Sequence, residues 1–381
     1  MTDTVAAHRF ERILGQHIGE EPGPTVVICG GMHGNEPAGA LAAQRVCAAL
    51  DHLSLPLRGE WLALAGNLKA LRQERRFLAT DLNRCWTEPE VRAMLLRDPM
   101  LDTAEQAEQR ELIGIFGEAA KRARGPLILF DLHTTSGKSP PFLVLSDTIA
   151  NRDVARRLPG TIILGLEEAI DGTLLDYMSQ IGHRGLVIES GQHSAEDAVA
   201  IHESYIWVGF AAAGQLDSAD IPGYAEHTHS LRAARASAPR IVDIRYRHPV
   251  LPEDGFVMQP GFASFQQVEK DELLACDSDG PVRAPKSGMV LMPLYQDQGS
   301  DGFFLVRRVH RMWVFLSRVL RRLRMGRLLP ILPGVRRDAD QPDALRVDAK
   351  VARWYTVEIF HLFGYRRRRR EGDTYLFTRR S

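Results

Sequence analysis

Two residues that can bind a metal ion lie three positions apart in a glycine-rich turn. His33 and Glu36 follow the apolar run of residues 26–28, and three nearby glycines give the backbone freedom that a sharp turn requires. An imidazole and a carboxylate at this spacing can both reach one small cation. Zinc takes such nitrogen and oxygen ligands, and a catalytic zinc keeps three protein ligands plus water. A zinc site would therefore require a third ligand and a base.

Two further apolar runs end in residues that suit these roles. Residues 126–130 lead into Asp131-Leu-His133, where His133 is the candidate third ligand. Asp131 lies on the same strand face and could orient a ligand or a nearby arginine. Residues 185–188 lead into Glu189, a carboxylate that could take a proton from a metal-bound water. Each residue alone has an ordinary explanation as a core histidine or a solvated turn residue, but together the strand ends favour one zinc ion per chain.

Strands and helices alternate around these residues. The beginning of the chain, residues 8–20, is predicted to start a sheet or wrap its edge. The patterns predict helices at 37–50, 94–121 and 194–210, strands at 59–67 and 160–165, and a linker at 211–239. Ser194 is the predicted N-cap of the third helix.

A small all-β region is predicted after the linker. Residues 241–247 alternate between apolar and polar side chains, as in a half-buried strand. Short apolar runs between Gly, Pro and Asp turns predict further strands at 255–258, 261–265, 272–276, 288–292 and 302–306.

Four motifs occur in the order found in a known family. Gly30-Gly-Met-His-Gly-Asn-Glu36, Asp81-Leu-Asn-Arg84, Asp131-Leu-His-Thr-Thr135 and the Glu189 segment resemble those of the succinylglutamate desuccinylase/aspartoacylase family. This family is a branch of the zinc carboxypeptidase superfamily. The resemblance covers about residues 20–306. It implies an α/β domain with a mixed sheet flanked by helices, one zinc ion, and hydrolysis of the amide bond of an N-acyl amino acid. It also implies a small C-terminal domain similar to the biotinyl/lipoyl fold.

The resemblance further implies a set of site residues: His33, Glu36 and His133 as zinc ligands, Glu189 as the general base, and Asn83 and Arg84 as substrate-binding residues. Arg76 lies five residues before Asp81, where the family often carries a substrate-binding arginine, although a solvated helix face is the alternative. Tyr295 is the candidate for a tyrosine that the β-rich domain contributes. A packed surface tyrosine is the alternative there.

One position departs from the family pattern. Aspartoacylase-like members carry an arginine about ten residues before the catalytic glutamate, and it binds the second carboxylate of the substrate. This chain has Ser179 there, and the nearest arginine is Arg184. The departure argues against an aspartyl or succinyl acyl group and leaves the substrate open. His193, four residues after Glu189, matches no motif and is interpreted as a loop residue.

A net charge of zero hides two oppositely charged parts of the chain. Residues 306–381 hold 20 of the 48 basic and 7 of the 48 acidic residues, a net charge of +13, so residues 1–305 carry −13. Apolar residues at helical spacing among arginines predict a basic amphipathic helix at 309–324, ended by Pro330 and Pro333. A hairpin is predicted from 354–365 and 374–378, around the five arginines at 366–370.

The basic extension, residues 307–381, allows three interpretations. It could dock on the acidic part of its own chain or of a second subunit, which would form a homo-oligomer. It could also lie on an anionic membrane surface. Nucleic-acid binding is disfavoured because no aromatic ladder or recognised reader motif accompanies the arginines.

The predicted organisation is a zinc hydrolase domain at 1–235, a β-rich domain at 240–306 and the basic extension. The four cysteines are scattered without pair spacing, which fits a reducing compartment. The N-terminus lacks the apolar core of a signal peptide, and no run of about 18 apolar residues could span a membrane. These features predict a cytoplasmic protein. The rival enzymatic hypothesis is a metallocarboxypeptidase or an amidase acting on a larger conjugate. The rival from another class is a membrane- or partner-binding protein that acts through its basic tail.

Overall fold

An 11-stranded mixed sheet forms the centre of the molecule. The computed structural model describes residues 10–338, 341, 344–348 and 357–379. Up to residue 308 the strands are β1 (Ile13–Ile18), β2 (Thr25–Gly30), β3 (Glu60–Ala65), β4 (Leu127–Thr135), β5 (Phe142–Val144), β6 (Thr161–Leu164), β7 (Arg184–Gln192), β8 (Ile241–Pro249), β9 (Val257–Met258), β10 (Gln267–Val268), β11 (Leu273–Asp277), β12 (Gly280–Arg283), β13 (Gly288–Leu291) and β14 (Asp301–Arg308). The order in the sheet is β1-β3-β2-β4-β7-β5-β6-β8-β14-β13-β10. The predicted mixed sheet is thereby confirmed, and β1 (Ile13–Ile18) forms one of its edges, as expected for the beginning of the chain.

The helices of the same region cover both faces of the sheet. They are α1 (Ala38–His52), α2 (Leu68–Leu71), α3 (Glu88–Leu96), α4 (Ala104–Arg122), α5 (Ile149–Ala155), α6 (Leu174–Gln180), α7 (Ala198–Ala213) and α8 (Tyr224–Arg235). Ile28 of β2 packs with α1 and α7, whereas its neighbour Val27 faces α4 and α6. Strands β2, β4 and β7 are parallel neighbours, so their carboxyl ends meet at one edge of the sheet.

Two predicted helices differ in the structure. The predicted helix at 94–121 is wrong: α3 ends at Leu96, and α4 begins only at Ala104 behind a Thr103 capping box. Pro99 lies in the gap and cannot donate a backbone hydrogen bond to a continuous helix. The third helix begins at Ala198 rather than at Ser194, and its N-cap Asp197 makes no side-chain cap.

The predicted linker at 211–239 is also wrong. Helix α7 continues to Ala213 and ends at Gly214, whose φ of 88° suits the left-handed cap. Helix α8 then occupies much of the remaining stretch, because Leu231 is fully buried in the main core. Its many polar residues lie on the outer face of a packed helix.

The C-terminal strands extend the central sheet. Strand β8 pairs in parallel with β6 and antiparallel with β14, and β13 and β10 follow. A separate three-stranded sheet has the order β12-β11-β9. The strand predicted at 261–265 is wrong, because Phe265 has a φ of 69° and the segment turns. The domain boundaries at 235, 240 and 306 stay predictions.

The basic extension folds into a helix and a small four-stranded sheet. Its elements are α9 (Arg311–Arg322), β15 (Val335–Arg337), β16 (Ala344–Asp348), α10 (Val357–Leu362), β17 (Tyr365–Glu371) and β18 (Thr374–Arg379), with sheet order β15-β16-β18-β17. The five-arginine run lies within β17 and not at a hairpin tip as predicted, because Gly372 supplies the positive φ of the turn. The predicted first hairpin strand, 354–365, is helical from Val357 to Leu362, and residues 354–356 lie outside the described residues.

Buried ion pairs join the basic extension to the rest of the chain. Asp147 is fully buried and bonds Arg152, Arg321 and Arg366, with 2.8 Å between Arg321 Nη2 and Asp147 Oδ2. Burial alone would raise the pKa of Asp147, but the three guanidinium groups hold it well below its usual value. Arg366 Nη1 also lies 2.9 Å from Glu168 Oε1. No helix in the described part of the chain is long and apolar enough to cross a membrane.

Candidate metal centre and active site

The turn after β2 brings His33 and Glu36 to the edge of the sheet. Gly31 has a φ of 75°, which favours glycine. At Gly34 a Cβ atom would lie 2.1 Å from the backbone carbon of Ala70, so no larger residue fits there. Gly31 and Gly34 therefore allow the turn to fold closely against α2, while His33 and Glu36 line the cavity.

Two histidine rings converge on one carboxylate. His33 Nδ1 lies 2.9 Å from Glu36 Oε1, and His133 Nδ1 lies 3.1 Å from Glu36 Oε2. All three side chains are buried, and one ligand atom from each lies within 4.8 Å of the others. Two imidazole nitrogens and a carboxylate oxygen form a donor set that fits zinc and leaves room for a fourth ligand.

Each outward-facing ring nitrogen lies against a second carboxylate. His33 Nε2 lies 3.0 Å from Asp81 Oδ1, and His133 Nε2 lies 3.1 Å from Asp131 Oδ2. At His33 this hydrogen bond favours a proton on Nε2, which leaves Nδ1 able to bind a metal ion. The sequence suggested this role for Asp131 but missed Asp81, although Asp81 opens one of the motifs.

The charges of the cluster shift the pKa values of Glu36 and His133. Burial on its own would raise the pKa of Glu36, but His33 and His133 outweigh it and hold that pKa well below its usual value. Burial would likewise lower the pKa of His133, yet Asp131 and Glu36 raise it well above its usual value. In both cases the site keeps the opposite charges paired.

Glu189 lies beside this cluster without a strong partner. It sits opposite His133 in the β4–β7 ladder, lines the same cavity, and its buried Oε2 has no hydrogen-bond partner among the described residues. Burial raises the pKa of Glu189 to about 8, and the charges of Glu36 and Asp131 add to the effect. A carboxylate in this environment can accept a proton and return it.

The predicted substrate-binding residues divide into two groups. Arg76, Asn83 and Arg84 line the cavity. Arg76 lies 3.3 Å from Glu36 and 3.1 Å from Asp81, so it is held at the metal cluster rather than on a solvated helix face. Arg84 Nη2 donates to Asp301 at 2.8 Å.

Tyr295 does not line the cavity. Its hydroxyl donates to the carbonyl of Gln259 and accepts from the amide of Phe262, both within the β-rich part. The neighbouring Gln296 lines the cavity instead and lies 3.2 Å from His193 Nε2. Side chains on adjacent residues of an extended chain point in opposite directions. The sequence alone does not tell which of Tyr295 and Gln296 faces the cavity.

Two further histidines contact residues 133 and 134 at the end of β4. His193 Nδ1 lies 2.7 Å from the hydroxyl of Thr134, which follows the candidate ligand His133. His202, from α7, is fully buried and contacts the backbone oxygen of His133 at 3.1 Å. Burial lowers the pKa of His202 to about 3, so this ring stays neutral. No pattern in the sequence points to His202, because nothing in its own helix indicates the contact.

A family model for the succinylglutamate desuccinylase/aspartoacylase catalytic domain matches residues 22–202. Residues 22–202 belong to this family. All three candidate ligands and Glu189 lie within the matched segment, so the family domain contains the whole cluster.

Known members of the succinylglutamate desuccinylase/aspartoacylase family resemble the chain in part. A probable aspartoacylase from Nostoc sp. is 29% identical over 34% of this chain and 40% of its own length. A succinylglutamate desuccinylase from Photorhabdus laumondii is 39% identical over 22% of this chain and 26% of its own length. The chain thus matches less than half the length of either protein. The crystal structure of a succinylglutamate desuccinylase/aspartoacylase from Rhodobacter sphaeroides has the same fold, with a TM-score of 0.56 and 19% identity over 78% of this chain and 88% of that chain.

Proposed function

We propose that this protein is a zinc-dependent hydrolase that cleaves the amide bond of an N-acyl amino acid. The observation that carries the proposal is the buried His33–Glu36–His133 cluster with Glu189 beside it, inside a desuccinylase/aspartoacylase catalytic domain. We further propose that the sheet and site correspond to those of zinc carboxypeptidases.

The metal would supply a Lewis acid and a water of lowered pKa, held by His33, Glu36 and His133. Glu189 takes a proton from the attacking water as the new carbon–oxygen bond forms. It then gives that proton to the nitrogen as the carbon–nitrogen bond breaks. The products are a carboxylic acid and a free amino acid, and Glu189 returns to its starting state.

The arginines bind and orient the substrate. Asn83 and Arg84 bind the α-carboxylate of the amino acid, since a guanidinium matches a carboxylate with two parallel hydrogen bonds. Arg76 lies closest to the metal cluster and is the candidate to stabilise negative charge on the carbonyl oxygen during attack.

The first test combines metal analysis with a substrate panel. Purified protein that was never exposed to a chelator should contain about one zinc per chain, as the buried His33–Glu36–His133 donor set predicts. It should hydrolyse at least one member of a panel of N-acyl amino acids. Zinc-free protein would overturn the proposal.

The rival enzymatic hypothesis uses the same site. A metallocarboxypeptidase, or an amidase on a larger conjugate, would need the same ligands and the same base. Short peptides and larger amides tested beside the panel separate the two: turnover of peptides alone would replace the proposed substrate class and keep the chemistry.

We propose that the basic extension docks on its own chain. The ion pairs of Asp147 with Arg321 and Arg366 support this, because both guanidinium groups are buried at the contact. These two arginines would be withdrawn from an anionic membrane surface. The exposed remainder of the extension leaves a second subunit or a membrane as the rival partner.

A further inference from the structure

The lining of the cavity beside Glu189 has a polar part and an apolar part. The polar part includes the candidate metal ligands with Arg76, Asn83 and Arg84. The apolar part, or apolar end, is formed by side chains that belong to one hydrophobic cluster: Val144, Leu166, Ile170, Leu175, Val187 and Phe304. The apolar end is a continuous surface of the core rather than a set of scattered contacts.

The apolar end begins directly beside the proposed base. Val187 and Glu189 are two residues apart on β7, so their side chains lie on the same face of the sheet. Val144 of β5 lies opposite Val187 in the adjacent ladder and extends the apolar surface sideways. A group bound next to the reacting carbonyl on this side would therefore contact hydrocarbon.

Each arginine that lines the cavity also contacts a carboxylate of the chain itself. Among the described residues that line the cavity, the arginines are Arg76 and Arg84. Arg76 lies against Glu36 and Asp81, and Arg84 against Asp301. Neither belongs to the apolar cluster.

Carboxylates also lie among the residues that line the cavity. Glu167 follows Leu166 of the apolar end, and Asp176 follows Leu175. A negatively charged acyl group placed against the apolar side chains of the cavity would lose its hydration to hydrocarbon.

From these observations we infer that the acyl group of the substrate is an uncharged aliphatic chain and not a dicarboxylic one. The inference rests on the proposed function, because it assumes that an acyl group occupies the end of the cavity beyond Glu189. Each methylene buried against the apolar end should raise kcat/KM by about three- to fourfold until the cavity is filled.

The test compares acyl groups that differ in one terminal group. All twenty amino acids are pooled as their N-butanoyl derivatives and, separately, as their N-succinyl derivatives, in which a carboxylate replaces the terminal methyl group. The zinc-loaded protein is incubated with each pool, and the released butyrate or succinate is quantified by mass spectrometry. Butyrate released at least tenfold faster than succinate is the expected result.

The other outcomes are distinct. Succinate released as fast as butyrate, or faster, overturns the inference and leaves the proposed function standing. Release of neither acid, from protein that holds zinc, overturns the proposed function and the inference with it.

A variant tests the location of the acyl group. Leu166 is only half-buried on a short turn at the apolar end, so Leu166→Arg can be accommodated without an unpaired charge in the core. This variant should shift the succinate-to-butyrate ratio at least tenfold toward succinate while zinc content stays the same. Leu166→Met is the matched control and should keep the native preference. A zinc-loaded Leu166→Arg protein with an unchanged ratio would overturn the inference.

Discussion

Glu189 and His133 lie opposite each other on the neighbouring parallel strands β7 and β4. This pairing places a buried carboxylate with one unpartnered oxygen beside the candidate metal ligands. The relationship is set by the register of the sheet, so it does not depend on a mobile loop.

Replacing the carboxylate tests this relationship directly. Glu189→Gln keeps the size of the side chain but removes the proton acceptor, so turnover should fall by about 10²- to 10⁴-fold. Zinc content should stay near native, because Glu189 is not one of the three ligands. Glu196→Gln, at a nearby exposed glutamate, is the control and should be fully active. Near-native turnover of Glu189→Gln would remove it from the mechanism.

The contact of Asp81 with His33 predicts an effect on metal affinity. Asp81→Asn weakens the acceptor at His33 Nε2 and should lower zinc affinity by about 10- to 100-fold. Competition with a chromogenic chelator measures this change, and circular dichroism shows whether the fold is retained. Asp171→Asn, at an exposed aspartate, should leave affinity unchanged. Equal affinity in both variants would mean that Asp81 does not orient the ligand.

The buried ion-pair cluster predicts a large loss of stability from one substitution in the extension. Arg366→Met leaves Asp147 and Glu168 with fewer cations in a buried site, which should lower the free energy of unfolding by about 3–5 kcal/mol. Denaturant unfolding measures the difference. The exposed Arg322→Met is the matched control and should change stability by less than about 0.5 kcal/mol. A similar small effect for both would show that the cluster is not stabilising.

The same cluster predicts a loss of stability in acid. Burial alone would raise the pKa of Glu168, but His361 and Arg366 lower it to about 2 from an ordinary value of 4.5. Its contribution is therefore complete above about pH 4.5 and is lost as the pH falls toward 2. Unfolding experiments between pH 6 and 3 should show a shallower decline for Glu168→Gln than for the native protein. Parallel curves would contradict the assignment.

Removal of the basic extension tests whether it docks on the rest of its own chain. A chain that ends after Arg308 keeps β14 but leaves the buried Asp147 without Arg321 and Arg366, so it should be less stable and should precipitate more readily. Size-exclusion chromatography and thermal unfolding measure both effects. A truncated protein that is monodisperse, equally stable and fully active would refute docking as a stabilising contact.

The sequence predicts the candidate metal cluster because His33, His133 and Glu189 each come at or just after the end of an apolar run. Parallel strands bring their carboxyl ends to one edge, so these three residues come near one another there. The spacing of His33 and Glu36 and the glycines between the strand and the helix are likewise local features. Local pattern and sheet geometry together were sufficient for this part of the site.

Other features depend on contacts between distant segments. The sequence does not reveal that Asp81 lies against His33, that Arg366 is buried on Asp147, or that Tyr295 bonds away from the cavity. The helix within the supposed linker escaped prediction for a related reason, since Leu231 is one apolar residue whose burial depends on the surrounding core. Local periodicity identifies strands, helices and the residues at their ends, but only tertiary packing decides which side chains from separate segments share a buried volume.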